Sequence, residues 1–262
     1  MPPLHVPSYF GDSSCVPADA HLIVVPPGGD GRRVNVRFGL SAALWRVLDP
    51  TLVAFARATY GRGEGRLHAP RRRVLLFRGS TRESTREGPS NNSSRECFND
   101  EHSCSLAYSM GIRQTVRRLI GSSPLVDFST RLEAAPRYHA LLSRAEFCLT
   151  APGFGFDTRI VDYIVAGCIP VIIQPTGRRL LLPYEPELRY DEFAVVVAYS
   201  DVRALPALVH NMSAAAIRAK RARLAEVHRT FVWDEEYGTA YEAVRDAVLG
   251  RLAMSNQREG PH

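Results

Sequence analysis

The stretch from Phe147 to Gln174 constrains the fold more than any other part of the chain. It reads FCLTAPGFGFDTRIVDYIVAGCIPVIIQ. A short apolar run, Glu146 to Thr150, has the composition of a strand. A loop with Gly153 and Gly155 follows. Asp157 to Ala166 has the apolar spacing of a helix, and Gly167 stands where a left-handed cap closes one. Ile169 to Ile173 is then wholly apolar. Strand, helix and strand in so short a span make a right-handed βαβ unit. A strand with no polar alternation belongs in a parallel sheet covered on both faces.

The flanking sequence repeats this alternation. Arg73 to Phe77 (RVLLF) reads as a buried strand. Ser105 to Ile120 reads as a helix ending at Gly121, Leu125 to Phe128 as a short strand, and Pro136 to Arg144 as a helix. Phe193 to Val197 is a further strand. Asp201 and Ser213 are expected to cap two helices. Glu235 to Leu252 is a last amphipathic helix, and the tail after Met254 is expected to fray. The fold class is α/β, a Rossmann-like parallel sheet with helices on both faces.

Before this block the pattern is uneven. His21 to Pro27 (HLIVVPP) is a short strand stopped by two prolines, and Ser41 to Tyr60 has helical spacing interrupted at Asp49-Pro50. Gly61, Gly63 and Gly65 mark a break. The division expected is 1–68 as a first segment, 69–232 as the Rossmann-like domain, 233–254 as the closing helix and 255–262 as a tail. Thr81 to His102 is too polar to order itself well, so a surface loop is expected at about 81–103. Asn91-Asn92-Ser93-Ser94 contains two overlapping glycosylation triplets, and Asn211-Met212-Ser213 is a third. Such triplets matter only if the chain reaches the secretory lumen.

Composition excludes several classes. Of 262 residues, 45% are hydrophobic and 23% charged, which rules out disorder for most of the chain. The apolar runs are far shorter than the roughly 18–20 residues of a spanning helix. The first residues carry no basic stretch before an apolar core, so no secretory signal is legible there. The net charge of +6 invites a nucleic-acid reading. Yet the basic residues are scattered arginines apart from Arg71-Arg72-Arg73, with Lys220 the single lysine, which looks like the codon bias of a GC-rich genome. No nucleic-acid partner is expected. The five cysteines form no CxxC pair and match no zinc spacing. Cys97 and Cys104 either bridge across a polar loop or stand as free thiols. Cys148 and Cys168 read as buried small residues.

In an open α/β sheet, ligands bind beyond the carboxyl ends of the strands. The glycine loop after Thr150 lies at such an end. Glycines let a backbone come close to a phosphate. Arg159 and Asp162, three residues apart, share one helix face. An arginine there neutralises diphosphate charge, and the carboxylate accepts from ribose hydroxyls. The competing reading is an ordinary βα turn with a surface Arg159–Asp162 pair.

These residues resemble the exostosin-like family of glycosyltransferases, family 47. Its hallmark is matched by Phe147-Cys148-Leu149, Pro152-Gly153, Gly155, Thr158-Arg159, Asp162 and Gly167-Cys168-Ile169-Pro170-Val171-Ile172-Ile173. Phe77-Arg78-Gly79 resembles the family's F-x-G after its first strand. Ile112-Arg113 resembles its I-R helix, and Tyr138, Leu141 and Leu142 resemble the helix before FCL. Phe193 to Val197 followed by Asp201 resembles its F-x-V-x-V strand and capped helix.

The resemblance implies a GT-B architecture in which this domain holds the nucleotide-sugar donor and the last helix crosses back. It implies inverting transfer of a sugar from a UDP-sugar to a glycan or glycoprotein acceptor, with no cofactor and no metal. Asp30, Asp100 and Asp157 indeed have no acidic partner two residues on. It implies a Golgi setting and assembly with itself or with another glycosyltransferase. Donor-binding residues implied are Arg78, Gly79, Pro152, Gly153, Phe154, Gly155, Thr158, Arg159 and Asp162. No catalytic base is assigned; His5, His21 and His68 qualify by residue type alone. Two departures stand out. Gln174-Pro175 replaces the usual acidic or polar residue after the strand. Only about 68 residues precede the donor domain, expected as the remnant or end of an incomplete N-terminal acceptor-side domain, against the roughly 120 of a full Rossmann-like partner domain. The alternative is therefore a partner subunit or shortened chain that binds donor without turnover.

Overall fold

The computed structural model describes residues 50–61, 67, 69–81, 108–131, 133–151, 159–175, 180, 182–185, 187–234, 236–246 and 249. Within them, five strands form one sheet: β1 Arg72–Arg78, β2 Val126–Ser129, β3 Ala145–Thr150, β4 Ile169–Gln174 and β5 Val195–Ala198. All neighbours are parallel and the order is β2-β1-β3-β4-β5. That order reverses direction between β1 and β3, the place where doubly wound sheets open a crevice for ligands. The helices are α1 Pro50–Tyr60, α2 Ile112–Ile120, α3 Ala135–Arg144, α4 Arg159–Val165, the one-turn α5 Tyr190–Phe193, α6 Leu205–His210 and α7 Ala214–Val227. Right-handed crossovers put α2 on one face and α3 and α4 on the other.

Burial follows the apolar runs. β3 is buried along its whole length, and β4 is buried up to Ile173. β3 pairs with β4 from Phe147 opposite Ile169 to Thr150 opposite Ile172. β5 joins β4 only from Val171. Pro170, which cannot donate to a ladder, therefore sits where β4 is paired on one side only.

Several element limits differ from expectation, each for a local reason. The helix expected from Ser105 starts at Ile112, because Gly111 takes φ 70° and a 3-10 turn, Tyr108–Gly111, precedes it. Phe193 ends α5 rather than starting β5. Asp201 is not a cap. It lies inside the 3-10 turn Tyr199–Ala204, where its Oδ1 accepts from the Ser200 hydroxyl at 3.2 Å. Ser213 does cap α7, its Oγ accepting from Ala216 N at 3.1 Å. The closing helix begins at residue 240, not Glu235, after a turn in which Asp234 Oδ1 accepts from Tyr237 N at 2.7 Å.

Helix α1 packs into the core of the sheet domain. Leu52, Phe55 and Ala56 belong to its buried cluster, and Phe55 stacks on His139 of α3 at 4.4 Å. The core thus extends across the glycine break at which the sequence divides the chain. Tyr60 donates from its hydroxyl to Ile164 O in α4. Arg71 donates to Ala166 O at 2.8 Å, just past the same helix, where a cation suits the exposed carbonyls. Gly167 follows at φ 66°, and a Cβ there would meet Leu67 Cδ1 at 2.9 Å. These contacts fix the C-terminal end of α4, and so the angle at which Arg159 leaves its other end.

Tyr60 also stacks on His228 at 3.8 Å. His228 Nδ1 lies 2.9 Å from Ala225 O, and Nε2 lies 2.8 Å from the Tyr237 hydroxyl. A carbonyl can only accept, so Nδ1 carries the proton and Nε2 accepts from Tyr237. The ring is neutral: burial, which outweighs its hydrogen bonds, pushes its pKa down to about 4. The unfolded value is 6.5, so the stabilisation is complete above pH 6.5 and is lost as pH falls towards 4. The loss should reach about 3 kcal/mol at pH 4. Urea midpoints measured from pH 7 to 4 should fall less steeply in His228→Gln than in the wild type.

Candidate functional site

The site is built at the carboxyl ends of β1 and β3. β1 ends at Arg78 and passes into Gly79 and Ser80; β3 ends at Thr150 and passes into Ala151. Arg159, the first residue of α4, reaches back over both ends. Its Nη1 donates to Arg78 O and its Nη2 to Ala151 O at 3.2 Å. Its guanidinium carbon lies 5.4 Å from the centre of the Phe77 ring, a cation over an aromatic face. Gly79 provides the room. A Cβ at that position would collide with Arg159 Nη1 and come within 3.2 Å of Phe77 Cζ.

A second arginine converges on the same place. Arg113, in the first turn of α2, is buried. Its Nε and Nη2 both donate to Ala151 O, at 3.0 and 2.7 Å, and its Nη1 donates to Ser80 O at 3.0 Å. It lies 5.6 Å over the same Phe77 ring. Gln114 Nε2 donates to Thr81 O at 2.9 Å. The start of α2 therefore holds the chain leaving β1 against the chain leaving β3. The sequence marks Arg113 only as a motif match; its role as a clamp comes from contacts with carbonyls 33 and 38 residues away.

The other expected site residues divide. Asp162 is 1% exposed on α4, which removes the reading of a surface pair with Arg159. Next to it, Tyr163 donates to Leu149 O at 3.1 Å and seats the helix on β3. Arg78 turns the opposite way. Its guanidinium binds Asp127 of β2, at 2.8 Å to Oδ1 and 2.8 Å to the carbonyl. What it brings to the site is its backbone oxygen. Pro152, Gly153, Phe154, Gly155 and Thr158 lie outside the described residues, as do His5, His21 and His68. Gln174 ends β4, and its Oε1 accepts from Leu180 N at 2.8 Å. That bond ties the end of β4 to Leu180.

Cys148 and Cys168 are more than small core residues. They are joined as a disulfide with Cα atoms 5.8 Å apart, linking β3 to the residue before β4. The parallel register brings them together across the helix between. Cys97 and Cys104 lie outside the described residues. Among the described residues, no group of three or more His, Cys, Asp or Glu side chains could hold a metal ion. Among them, too, no helix is long and apolar enough to cross a membrane.

Comparison with known proteins gives a consistent picture. A family model described as the Exostosin GT47 domain matches residues 47–212. The chain is 31% identical over 150 residues to "Probable glucuronosyltransferase GUT1" of Oryza sativa subsp. japonica, covering 55% of this chain and 35% of that protein. It is 33% identical over 150 residues to "Probable beta-1,4-xylosyltransferase IRX10" of Arabidopsis thaliana, again covering 55% of this chain and 35% of the relative. The matched part thus spans little more than a third of the length of these relatives.

Proposed function

This chain belongs to the exostosin GT47 family, and we propose that its sheet domain holds the nucleotide-sugar donor of an inverting GT-B glycosyltransferase. The donor is a UDP-sugar and the acceptor a glycan or glycoprotein. The nearest chemistry in the relatives' names is glucuronosyl and xylosyl transfer. Residues 69–232, together with α1, form the donor half, and the helix at 240–246 is the start of the element that crosses back. The reaction uses neither a resident metal nor a cofactor. The assembly is with another copy or another glycosyltransferase.

The observation that carries this reading is the convergence of Arg113 and Arg159 on the carboxyl ends of β1 and β3, beside Gly79. In an inverting transfer the acceptor oxygen attacks the anomeric carbon and the diphosphate leaves with its charge. Fixed guanidinium donors beside that charge lower the barrier without having to reorganise. The family resemblance assigns the further donor contacts to the loop from Pro152 to Thr158. The Cys148–Cys168 bridge favours an oxidising compartment, consistent with a Golgi lumen.

Calorimetric titration of UDP tests the reading. The intact chain should bind, and Arg159→Ala should bind about 10- to 100-fold more weakly, the worth of a charge-assisted hydrogen bond. Gly79→Ala should weaken binding with Arg159 still present, because its methyl group displaces the guanidinium. Arg113→Lys keeps the charge but loses the fork. It should weaken UDP about fivefold at a temperature where the fold is intact, roughly one hydrogen bond's worth. Equal affinity in the wild type and Arg159→Ala would remove Arg159 from the donor site.

A further inference from the structure

We infer that Asn211 is an N-glycosylation site, and that the glycan it carries projects from the end of the domain opposite the donor cleft. Asn211-Met212-Ser213 is the acceptor triplet, with no proline between Asn and Ser. In the fold it forms the turn between α6 and α7, and Asn211 is exposed. Its backbone N–H donates to Ala207 O at 2.9 Å, which places Asn211 at the C-terminal end of α6. Surface turns of this kind are where a bulky, solvating glycan is tolerated.

The position of the turn relative to the site supports the inference. Arg73, near the start of β1, donates to His210 O and Met212 O, both at 3.1 Å. The donor cleft is at the other end of the same strand, beyond Arg78. Five residues of extended chain separate the two by roughly 16 Å. A glycan on Asn211 therefore leaves the cleft open. The disulfide supplies the second, independent observation, since a buried bridge marks a chain that folds in an oxidising lumen, where this modification is made.

The chemistry sets the timing. The Asn211 amide nitrogen attacks the anomeric carbon of an oligosaccharide carried on a polyprenyl diphosphate. The bond from that carbon to the diphosphate oxygen breaks, the N–C bond forms, the amide gives up one proton, and the lipid diphosphate leaves. The transferring enzyme reads the Ser213 hydroxyl. In the folded domain that oxygen accepts from Ala216 N, and the Ser213 carbonyl accepts from Ile217 N at 3.0 Å. Transfer accordingly precedes the docking of α7 and takes place on the chain as it enters the lumen.

The inference rests on the lumenal placement proposed above but not on donor binding. The test is mass spectrometry of the protein isolated from its own cells under alkylating conditions. The peptide Ala204 to Arg218, released by trypsin, should be found with Asn211 converted to Asp and heavy oxygen incorporated after peptide:N-glycosidase treatment in heavy-oxygen water. Asn211→Gln should migrate like the deglycosylated protein and bind UDP as the wild type does. An unmodified Asn211 in protein whose Cys148 and Cys168 are bridged would overturn the site alone. Free, alkylated Cys148 and Cys168 with an unmodified Asn211 would overturn both the site and the lumenal placement. The UDP titrations decide the donor reading independently of either result.

Discussion

Val171→Asp is expected to abolish the cooperative unfolding transition of this domain at 25 °C. Val171 is 0% exposed and stands in β4 between Leu149 of β3 and Val195 of β5. Both neighbours are buried and apolar, and Ile172 and Ile173 continue the same surroundings. The side chains directly across from it, Leu149 and Val195, offer a carboxylate no donor. It must either remain charged in a medium of low polarity or take up a proton, and each costs several kcal/mol. A domain of ordinary stability has about 5–15 kcal/mol in total. Circular dichroism and a thermal melt read the result. Val196→Asp is the control: it adds the same carboxylate to the neighbouring strand at a residue 44% exposed, and should change stability by no more than about 0.5 kcal/mol. An unchanged melting temperature for Val171→Asp would mean that β4 is not central and that the sheet order is wrong.

The same physics explains which features could be read from the sequence. β1, β3 and β4 are legible because their burial on both faces demands continuous apolar runs, and RVLLF, EFCLT and IPVII have no other good home. Gly167 is legible as a helix stop because its left-handed φ and the close Leu67 Cδ1 both require glycine. Limits set by a single backbone torsion are less legible. Gly111 at φ 70° cuts a helix whose apolar spacing runs on through it. Phe193 carries the apolar signal of the strand it precedes, yet its backbone closes a turn. Arg113 and the disulfide were legible only in part, because their partners are distant in sequence. Nothing local to Ile112-Arg113 points to Ala151. Cys148 and Cys168 look like small core residues until the βαβ unit is folded in register. Only that register sets Cys148, in the middle of β3, beside Cys168 at the entry of β4.

Replacing both Cys148 and Cys168 by Ala is expected to cost about 3 kcal/mol. The two residues are 20 positions apart, and closing a loop of that size removes about that much conformational freedom from the unfolded chain. Both are 0% exposed, so the double variant also loses some packing. Urea midpoints of wild type and variant measure the difference, which should nearly vanish when the wild type is unfolded and refolded in excess dithiothreitol. In native buffer the bridge is shielded from an attacking thiolate by its burial. Its reduction should therefore be slow and should accelerate with denaturant in step with unfolding. Donor affinity should respond differently. The bridge ties the middle of β3 to the entry of β4, whereas Arg159 rests on the carboxyl ends of β1 and β3. Molecules of the double variant that remain folded should bind UDP as the wild type does, with the lost stability appearing only in the denaturation curve. A stability loss below about 0.5 kcal/mol would show that the bridge closes no loop that matters to the unfolded chain. A loss of UDP affinity in folded molecules would show that the β3–β4 junction, and not only the strand ends, sets the position of Arg159.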